Sequence, residues 1–346
     1  MLEIKDLKVS FHTYSGEVQA VRGVNLRLED GGVLAVVGES GCGKSVTAQS
    51  VLQLHDPTIT QYKGGEILLD GQNLLGLSDK QMQKVRGKDV SMIFQDPMTS
   101  LNPTMTVGNQ IMEVLLQHEK SAEGKKITRA QARERAIELL KMVRLPNAER
   151  RMNAYPHEFS GGQRQRVMIA MAMACSPRIL IADEPTTALD VTVQAQIIEL
   201  MKEMQKEHGT SIIIISHDMG AVASIAKTVA VMYGGLVVES GTVEDIFYRQ
   251  EHPYTRGLLD SVPKAGQRRD QKLESIEGTP PDLVKPPVGC PFADRCKHCM
   301  QICKDYLPEE TQLSGSHSCR CWLLDPECPQ PRISSRKALK NGGKES

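Results

Sequence analysis

Three continuous apolar runs set the pattern of the main body of the chain. They are Val33–Val37, Ile179–Ala182 and Ser211–Ile215, and each is followed at once by polar residues. Apolar runs of this length are typical of strands that are covered on both faces of a parallel sheet. Up to about residue 248 such runs alternate with helical stretches, and this alternation predicts an α/β fold with a mainly parallel sheet.

The remaining pattern divides the chain into further regions. A mainly helical stretch between Gln95 and Cys175, with a charged segment at Glu119–Arg135, predicts a helical subdomain inserted into the sheet at about 96–176. We therefore expect a main domain at 1–258. Prolines interrupt the sequence after His252, which indicates a linker leading into a small cysteine-rich module, together 259–328. The polar and basic residues 329–346 are expected to be disordered.

Composition excludes several classes of protein. The 346 residues are 40% hydrophobic, and 42 basic residues balance 42 acidic ones. The chain therefore has no overall electrostatic attraction to nucleic acid or to an anionic membrane surface. Its longest apolar runs are far shorter than the roughly 20 residues that cross a bilayer, and Met1–Ser10 lacks the apolar stretch of a secretory signal. We expect a cytosolic chain that reaches a membrane only through protein contacts.

A phosphate-binding motif follows the first apolar run. Residues 38–45 read Gly-Glu-Ser-Gly-Cys-Gly-Lys-Ser and lie between a predicted strand and a predicted helix. The glycines let backbone N–H groups approach phosphates, and the positive end of the helix points at them. Lys44 would neutralise the outer phosphates, and Ser45 would bind Mg²⁺. The predicted nucleotide contacts here are Gly38, Ser40, Gly41, Cys42, Gly43, Lys44, Ser45 and Val46.

Candidate catalytic residues follow the other two runs. Asp183 and Glu184 end one predicted strand, and His217 follows the other. Open parallel sheets bind ligands beyond the carboxyl ends of their strands, so these residues are expected to converge on the phosphate loop. Asp183 suits Mg²⁺, Glu184 could polarise the attacking water, and His217 could contact the γ-phosphate. The alternatives are a solvated loop for the carboxylate pair and a structural role for the histidine.

A second glycine motif opens another predicted helix, whose continuation Val167–Ala174 is almost wholly apolar. Ser160 can cap this helix, while Gly161 and Gly162 expose N–H groups at its positive end. Together these residues predict a second anion site. Because one chain does not need two γ-phosphate sites for one ATP, the motif predicts a head-to-tail pair in which this loop caps ATP held by another subunit.

These motifs together resemble the ATP-binding-cassette (ABC) family over nearly all of residues 1–260. Gln95 and the loop Ala188–Asp190 complete the family's motif set. The resemblance implies that Gln95 senses Mg²⁺ and the γ-phosphate and relays to a membrane partner, and that Asp190 communicates across the dimer. It also implies an aromatic residue that stacks on adenine, for which Phe11 is the first choice and Tyr14 the second.

The resemblance implies an ATPase that works with ATP and Mg²⁺. Its catalytic residues would be Glu184, His217, Lys44 and Gln95. The Mg²⁺ ligands would be Ser45, Gln95 and Asp183. The further nucleotide contacts, within the chain or across a dimer, would be Phe11, Ser160, Gly161, Gly162, Gln163 and Asp190.

Several stretches resemble the oligopeptide, dipeptide and nickel import branch of that family. They are Gln95–Pro103, Asp183–Gln196 and His252–Arg256, with Met98 and Arg166–Ala172 resembling the first of the two ATPases in such systems. The resemblance implies a heterodimer with a homologous second ATPase, two permeases that dock near Gln95–Val107, and an external substrate-binding protein. The chain would work peripherally at the cytoplasmic side of the membrane, and peptides are favoured over nickel or another small solute.

Seven of the nine cysteines lie between Cys290 and Cys328. In a reducing cytosol such a cluster indicates a metal site rather than disulfides. By resemblance to the same branch, the ligands of a four-iron, four-sulfur cluster would be Cys290, Cys296, Cys303 and Cys319. Thiolates suit zinc equally, so a zinc site stays open, as do unmetallated thiols. The alternative zinc ligands are Cys296, Cys299, Cys319 and Cys321. Nothing in the sequence links this module to ATP chemistry.

Two other classes of function fit less of the sequence. Cassette ATPases that act on DNA or on the ribosome usually carry tandem cassettes, long coiled coils or basic surfaces. This chain has one cassette, no heptad array and no net charge. A small-molecule kinase would explain the phosphate loop but not the motif at Ser160–Gln163.

Overall fold

Two β-sheets and a set of helices form the part of the chain that the computed structural model describes, which comprises residues 1–96, 100–119, 125–187, 189–261 and 275–329. The strands are β1 (Leu2–Thr13), β2 (Gly16–Leu28), β3 (Val33–Val37), β4 (Thr60–Leu69), β5 (Gln72–Asn73), β6 (Val90–Ile93), β7 (Ile179–Asp183), β8 (Ser211–Ser216), β9 (Thr228–Tyr233), β10 (Leu236–Thr242), β11 (Thr311–Gln312) and β12 (Ser318–Cys319). The helices are α1 (Lys44–Val51), α2 (Asp79–Val85), α3 (Val107–His118), α4 (Arg129–Met142), α5 (Ala148–Arg151), α6 (Gly161–Ala172), α7 (Val191–His208), α8 (Met219–Ile225), α9 (Val243–Tyr248), α10 (Pro253–Asp260) and α11 (Gln301–Asp305).

The larger sheet confirms the predicted parallel arrangement. Its strand order is β11-β12-β10-β9-β3-β8-β7-β6, and the five strands from β9 to β6 run parallel to one another. Every residue of β3, β7 and β8 is buried. Alternate residues of β3 belong to two different cores, because Val33 and Ala35 face one side of the sheet and Leu34 and Val36 face the other. Helices or a second sheet must therefore cover both faces.

The second sheet was not predicted. Its order is β2-β1-β4-β5, and all its pairings are antiparallel. Its inner face, with Leu7 and Val9, packs over α1 and the Leu34 side of the larger sheet. The sequence pattern did not indicate this sheet, because bulges in the pairing of the long strands β1 and β2 interrupt the alternation of apolar and polar residues.

Helices occupy the chain between β6 and β7, as the sequence predicted. Of the four described there, α3, α4 and α6 contact one another and the core. Capping boxes start α4 at Thr128 and α6 at Ser160, because each cap residue pairs with a glutamine three residues later. The exact bounds of an inserted subdomain, 96–176, stay a prediction. Met98 and residues 120–124 of the predicted charged segment lie outside the described residues.

The cysteine-rich module is continuous with the larger sheet rather than set apart from it. Strand β12 pairs with β10, and β11 extends the sheet beyond it. His317 anchors this junction through a 2.9 Å contact between its Nε2 and Oε1 of the buried Glu239. Residues 262–274 of the predicted linker and 330–346 of the predicted tail lie outside the described residues. Among the described helices, none is long and apolar enough to cross a membrane.

Candidate active site

The loop between β3 and α1 has the backbone geometry that phosphate binding needs. Gly38 and Gly43 have φ values of 148° and 98°, in the left-handed region that favours glycine. A Cβ at Gly38 would collide with the carbonyl oxygen of Met232, and one at Gly43 with that of Ala20. The loop is therefore packed so tightly against β2 and β9 that only glycine fits at these two positions.

Two side chains at the start of α1 face the loop and the neighbouring strand. Lys44 is 5% exposed, and its Nζ donates to the carbonyl oxygens of Gly38 (2.7 Å) and Glu39 (2.8 Å). Ser45 Oγ donates to Oδ1 of Asp183 at 3.0 Å. Burial raises the pKa of Asp183, and the hydrogen bond from Ser45 partly opposes that shift. A hydroxyl and a buried carboxylate placed together supply the oxygen ligands that Mg²⁺ prefers, so these residues fit the predicted ion.

Glu184 is the centre of a second group of contacts at the same edge of the sheet. Its Oε2 accepts hydrogen bonds from Gln95 Nε2 and Thr187 Oγ1, both at 2.9 Å, and lies 3.8 Å from His217 Nδ1. Gln95, Glu184 and His217 follow β6, β7 and β8, so three neighbouring strand ends supply them. The strand positions predicted that Glu184 and His217 converge, whereas Gln95 was expected here only from the family resemblance, and the contact from Thr187 was not predicted.

The backbone of Glu184 is held in an uncommon conformation. Its φ is 48°, in the left-handed region, and its N–H donates to the carbonyl oxygen of Ile215 on β8 at 2.9 Å. Non-glycine residues in this region are costly and concentrate at functional sites. The turn directs the carboxylate, whose side chain is 15% exposed, toward Gln95 and His217.

The motif Ser160–Gln163, which we call the signature motif, lies at the start of α6. Ser160 Oγ accepts from the N–H of Gln163 at 3.4 Å, and Oε1 of Gln163 accepts from the N–H of Ser160 at 3.2 Å. Ser160 and Gly161 are exposed. Within the described residues, none of the hydrogen bonds of this motif reaches the phosphate loop. Asp190 is also exposed and caps α7 by accepting from the N–H of Val193, while Ala188 of its loop lies outside the described residues.

The two candidates for adenine stacking have different surroundings. The ring of Phe11 is half-buried and packs edge-on against His55, with a centroid separation of 5.2 Å. Phe11 also borders the core under the smaller sheet, as does Val46. Tyr14 lies in the turn between β1 and β2 and is fully exposed. Only Tyr14 presents both faces of its ring to solvent.

Four cysteines of the C-terminal module line one cavity, which we call the cysteine cavity. They are Cys290, Cys296, Cys303 and Cys321. Three of these were predicted as ligands. Cys319 was predicted as the fourth, but it does not line the cavity, because it is held in β12 opposite Glu239. Cys321 lies beyond the end of that strand and reaches the cavity instead. Cys299 does not line it either, so the alternative zinc ligands are not brought together there.

The cysteine cavity has an unsatisfied hydrogen-bond donor in its wall. His252 lines it and is 1% exposed. Its Nδ1 accepts from the N–H of Tyr254 at 3.1 Å, so Nε2 carries the ring proton, and this buried Nε2 has no hydrogen-bond partner. Burial raises the pKa of Cys290 to about 12, and the neighbouring cysteines add to the shift.

A single metal ion would need its cysteine ligands close together. Tetrahedral zinc would need its sulfurs only about 3.8 Å apart, because Zn–S bonds are about 2.3 Å long. Within the described residues, no group of three or more histidine, cysteine or acidic side chains is arranged to hold a metal ion. The cavity nevertheless brings together four thiols and an N–H donor without a partner, side chains of the kind that bind and surround thiolate-ligated groups.

The sequence interpretation missed two residues that contact the phosphate loop. Tyr254 Oη accepts the N–H of Glu39 in the phosphate loop at 2.8 Å, and Arg295 contacts the Glu39 carboxylate. Tyr254 belongs to His252–Arg256, which was noted only for its resemblance. The position of Arg295 beside Cys296 carried no signal for a contact 256 residues away.

Comparison with protein families matches both parts of the chain. The ABC transporter family model matches residues 21–187. The model for the C-terminal region of oligopeptide/dipeptide transporters matches residues 238–303. The second match covers most of strand β10, helix α10 and the first three cysteines of the cysteine cavity.

Curated relatives match over almost the whole chain. The oligopeptide transport ATP-binding protein OppD of Bacillus subtilis is 56% identical, over 98% of this chain and 93% of its own length. The dipeptide transport ATP-binding protein DppD of the same organism is 53% identical, over 96% of this chain and 98% of its own length. The OppD protein of Escherichia coli is 49% identical, over 91% of each chain.

Solved structures match the cassette portion. The dimeric structure of MJ0796, a bacterial ABC transporter cassette, superposes with a TM-score of 0.62 at 28% identity and covers 70% of this chain and 99% of the other. A dimeric post-hydrolysis state of MJ0796 bound to ADP and phosphate superposes with a TM-score of 0.63, at the same identity and coverage.

Proposed function

The chain belongs to the ATP-binding proteins of the ABC transporters for oligopeptides and dipeptides, and on that premise we propose that it hydrolyses ATP at Glu184 to drive peptide import through partner permeases. The observation that carries the assignment is the placement of the Glu184 carboxylate. It lies between Gln95 and His217, next to the Ser45–Asp183 pair that follows the phosphate loop.

The phosphate loop and its two polar side chains bind the triphosphate in this proposal. Lys44, now bound to loop carbonyls, turns to the outer phosphates, while the loop N–H groups and the positive end of α1 hold the inner ones. Ser45 and Asp183 would hold Mg²⁺, which supplies charge neutralisation at the phosphates. Gln95 is the further Mg²⁺ ligand implied by the family.

Glu184 orients and deprotonates the attacking water. The water attacks the γ-phosphorus, its proton passes to the carboxylate, and ADP leaves with the bridging oxygen. His217 stabilises the γ-phosphate from the neighbouring strand end, and Gln95 aligns the carboxylate. Positioning and electrostatics supply most of the rate enhancement in such reactions.

The exposed signature motif supports a head-to-tail dimer. Ser160 and Gly161, with the partly buried Gly162 behind them, present a helix N-terminus to solvent, where it can cap the γ-phosphate bound by another cassette. Asp190 would communicate across the same interface. Solved cassettes of similar fold are dimeric, which supports the pairing of two cassettes. We propose that the partner is a homologous second ATPase, so that the working pair is a heterodimer.

Exposure favours Tyr14 over Phe11 for adenine stacking. A base can stack only on a ring face that is free, and the Phe11 ring is engaged with His55 and with the core. The fully exposed Tyr14 ring lies in a turn that can close on a nucleotide. We therefore propose Tyr14, the second choice from the sequence, as the stacking residue.

The remaining partners follow from membership of a peptide importer. We propose two permeases that dock near Gln95–Val107, of which residues 97–99 lie outside the described residues, and an external substrate-binding protein. The chain would bind peripherally at the cytoplasmic side of the membrane. The names of the relatives favour peptides over nickel, and they give no support to a role on nucleic acid or ribosomes.

We also propose that the cysteine cavity binds a four-iron, four-sulfur cluster through Cys290, Cys296, Cys303 and Cys321. Such a cluster supplies one-electron redox chemistry and cross-links the segments that bind it. The four thiols and the unpaired Nε2–H of His252 support this ligand set. The domain bounds 1–258 and 259–328 remain part of the proposal, with the sheet continuing across them.

Co-purification tests the proposed function. The tagged chain is isolated from gently solubilised native membranes, and its partners are identified by mass spectrometry. Two permeases and a second cassette ATPase are expected, together with ATPase activity that the peptide-loaded binding protein stimulates. Recovery only with ribosomes or nucleic acid would overturn the importer assignment.

A further inference from the structure

A bidentate ion pair joins the cysteine-rich module to the phosphate loop. Arg295, which precedes Cys296, places Nη1 2.5 Å from Oε2 of Glu39 and Nη2 3.0 Å from Oε1. Only 7% of the Arg295 side chain and 25% of the Glu39 side chain are exposed. Pairs in which two N–H groups face two carboxylate oxygens fix both orientation and distance, and burial protects this one from screening by salt.

Further contacts hold the guanidinium in place. Nε donates to the carbonyl oxygen of Glu277 at 2.9 Å, Nη1 donates to Tyr233 Oη at 3.0 Å, and Nη2 donates to the carbonyl oxygen of Ile276 at 3.2 Å. With the two bonds to Glu39, these contacts can use all five N–H donors of the group. A guanidinium stays protonated throughout the physiological pH range. Arg295 is therefore a fixed, permanently charged support.

Glu39 is held at its backbone as well as at its side chain. Its N–H donates to Tyr254 Oη, and its carbonyl oxygen accepts from Lys44, both at 2.8 Å. Tyr254 is fully buried and packs against Phe292 of the cysteine-rich module, with a centroid separation of 5.3 Å. Every polar group of Glu39 is thus engaged, and only Lys44 comes from the phosphate loop itself.

The charge of Glu39 requires such a partner. An acidic side chain in a loop that binds a triphosphate repels the ligand unless a cation neutralises it, and the repulsion is stronger where solvent is excluded. Lys44 is committed to the phosphates in the bound state. Arg295 is the cation in direct contact with the Glu39 carboxylate.

We propose that Arg295 is a positioning residue of the nucleotide site, which neutralises Glu39 and holds the phosphate loop in the form that binds ATP. The inference rests on the proposed function, since it concerns the same loop. It gives the cysteine-rich module a direct part in ATP binding. Any change that displaces the Ala293–Cys296 turn would be transmitted to the loop through this contact.

ATP binding by the full chain tests the proposal. Arg295→Ala is expected to raise the Kd for Mg-ATP by about tenfold, within the roughly 5- to 150-fold range of coupling between sites. Adding Glu39→Gln to that variant removes the unpaired charge and is expected to restore most of the affinity. Adenosine, measured by competition with a fluorescent ATP analogue, lacks phosphates and should bind both variants as it binds the wild type.

Matched variants separate this role from a general loss of structure. Arg320→Ala removes an arginine of the same module that pairs with Glu310 at 3.2 Å, away from the loop, and should leave ATP affinity unchanged. If Arg295→Ala does not fold, Arg295→Lys can be used, because lysine keeps the positive charge but cannot make the two parallel hydrogen bonds. It should raise the Kd for Mg-ATP by a smaller factor. Wild-type ATP affinity in the folded Arg295 variant would overturn the proposal. Absence of ATP binding by the wild-type chain would instead overturn the proposed function.

Discussion

Gln95 Nε2 donates to Oε2 of Glu184 at 2.9 Å, which joins the end of β6 to the end of β7 across 89 positions of sequence. In the described part of the chain, Thr187 and His217 approach the same oxygen. In the proposed mechanism, Oε1 is therefore the oxygen that binds the attacking water. The hydrogen bond from Gln95 fixes the orientation of the Glu184 carboxylate, and a movement of the Gln95 loop would change that orientation. A partner protein that moves this loop could therefore change the rate of ATP hydrolysis.

Glu184→Gln is expected to lower the ATP turnover rate by about 10²- to 10⁴-fold, because an amide cannot take the proton of the attacking water. The amide keeps the size of the side chain, so ATP should still bind and the closed dimer should accumulate. The measurements are ATPase rate and retained nucleotide, with dimer formation followed by size-exclusion chromatography.

Glu199→Gln is the matched control for that variant, because it removes an exposed carboxylate on α7 that pairs with Lys202. Its turnover should equal that of the wild type. Undiminished hydrolysis by Glu184→Gln would show that the water is activated elsewhere.

Ser160→Asp is expected to prevent dimer closure while leaving ATP binding by the isolated chain intact. Aspartate caps a helix as well as serine does, so α6 should remain folded. The added charge would face the γ-phosphate on the partner subunit and repel it. Ser160→Asn is the neutral control, because asparagine also caps helices. Closure of the Ser160→Asp dimer in the Glu184→Gln background would argue against a head-to-tail arrangement.

The sequence predicted the parts of the site that depend on strand ends. Asp183, Glu184 and His217 follow continuous apolar runs, and such runs locate the edge of a parallel sheet with little ambiguity. The helices between β6 and β7 were predicted because that stretch lacks the continuous apolar runs that mark the strands. Local motifs were enough because each one lies on a single element.

Contacts between distant elements could not be predicted in this way. The pair Arg295–Glu39 depends on how the cysteine-rich module folds back on the phosphate loop. The choice of Cys321 over Cys319 depends on where β12 ends. Neither relationship leaves a periodicity in the sequence, because both depend on tertiary contacts between segments that are far apart along the chain.

Tyr14→Ala is expected to weaken ATP binding by about 1–3 kcal/mol, the range for loss of one base–aromatic stack. Because Tyr14 is fully exposed, the free energy of unfolding should not change. Phe11→Ala should instead leave ATP affinity unchanged and lower the free energy of unfolding by about 2 kcal/mol, because the Phe11 ring packs on His55. Calorimetric titration with ATP and urea unfolding measure the two quantities. A loss of ATP affinity confined to Phe11→Ala would restore Phe11 as the stacking residue.

Cys321→Ala and Cys319→Ala distinguish the two predicted fourth ligands of the cysteine cavity. The anaerobically purified wild-type chain is expected to absorb broadly in the visible range and to contain iron and sulfide. Cys321→Ala should lose this absorption and most of the iron, because the cavity then offers three thiols. Cys319→Ala should keep both, since Cys319 is held in β12 and does not line the cavity.

The same preparation tests whether the bound group is a cluster at all. Burial raises the pKa of Cys290 to about 12, so this thiol is neutral near pH 7 until a metal displaces its proton. Uptake of iron and sulfide by the stripped chain should therefore be faster at higher pH. Stoichiometric zinc without iron would contradict the cluster, and retention of iron by Cys321→Ala with its loss from Cys319→Ala would return the fourth position to Cys319.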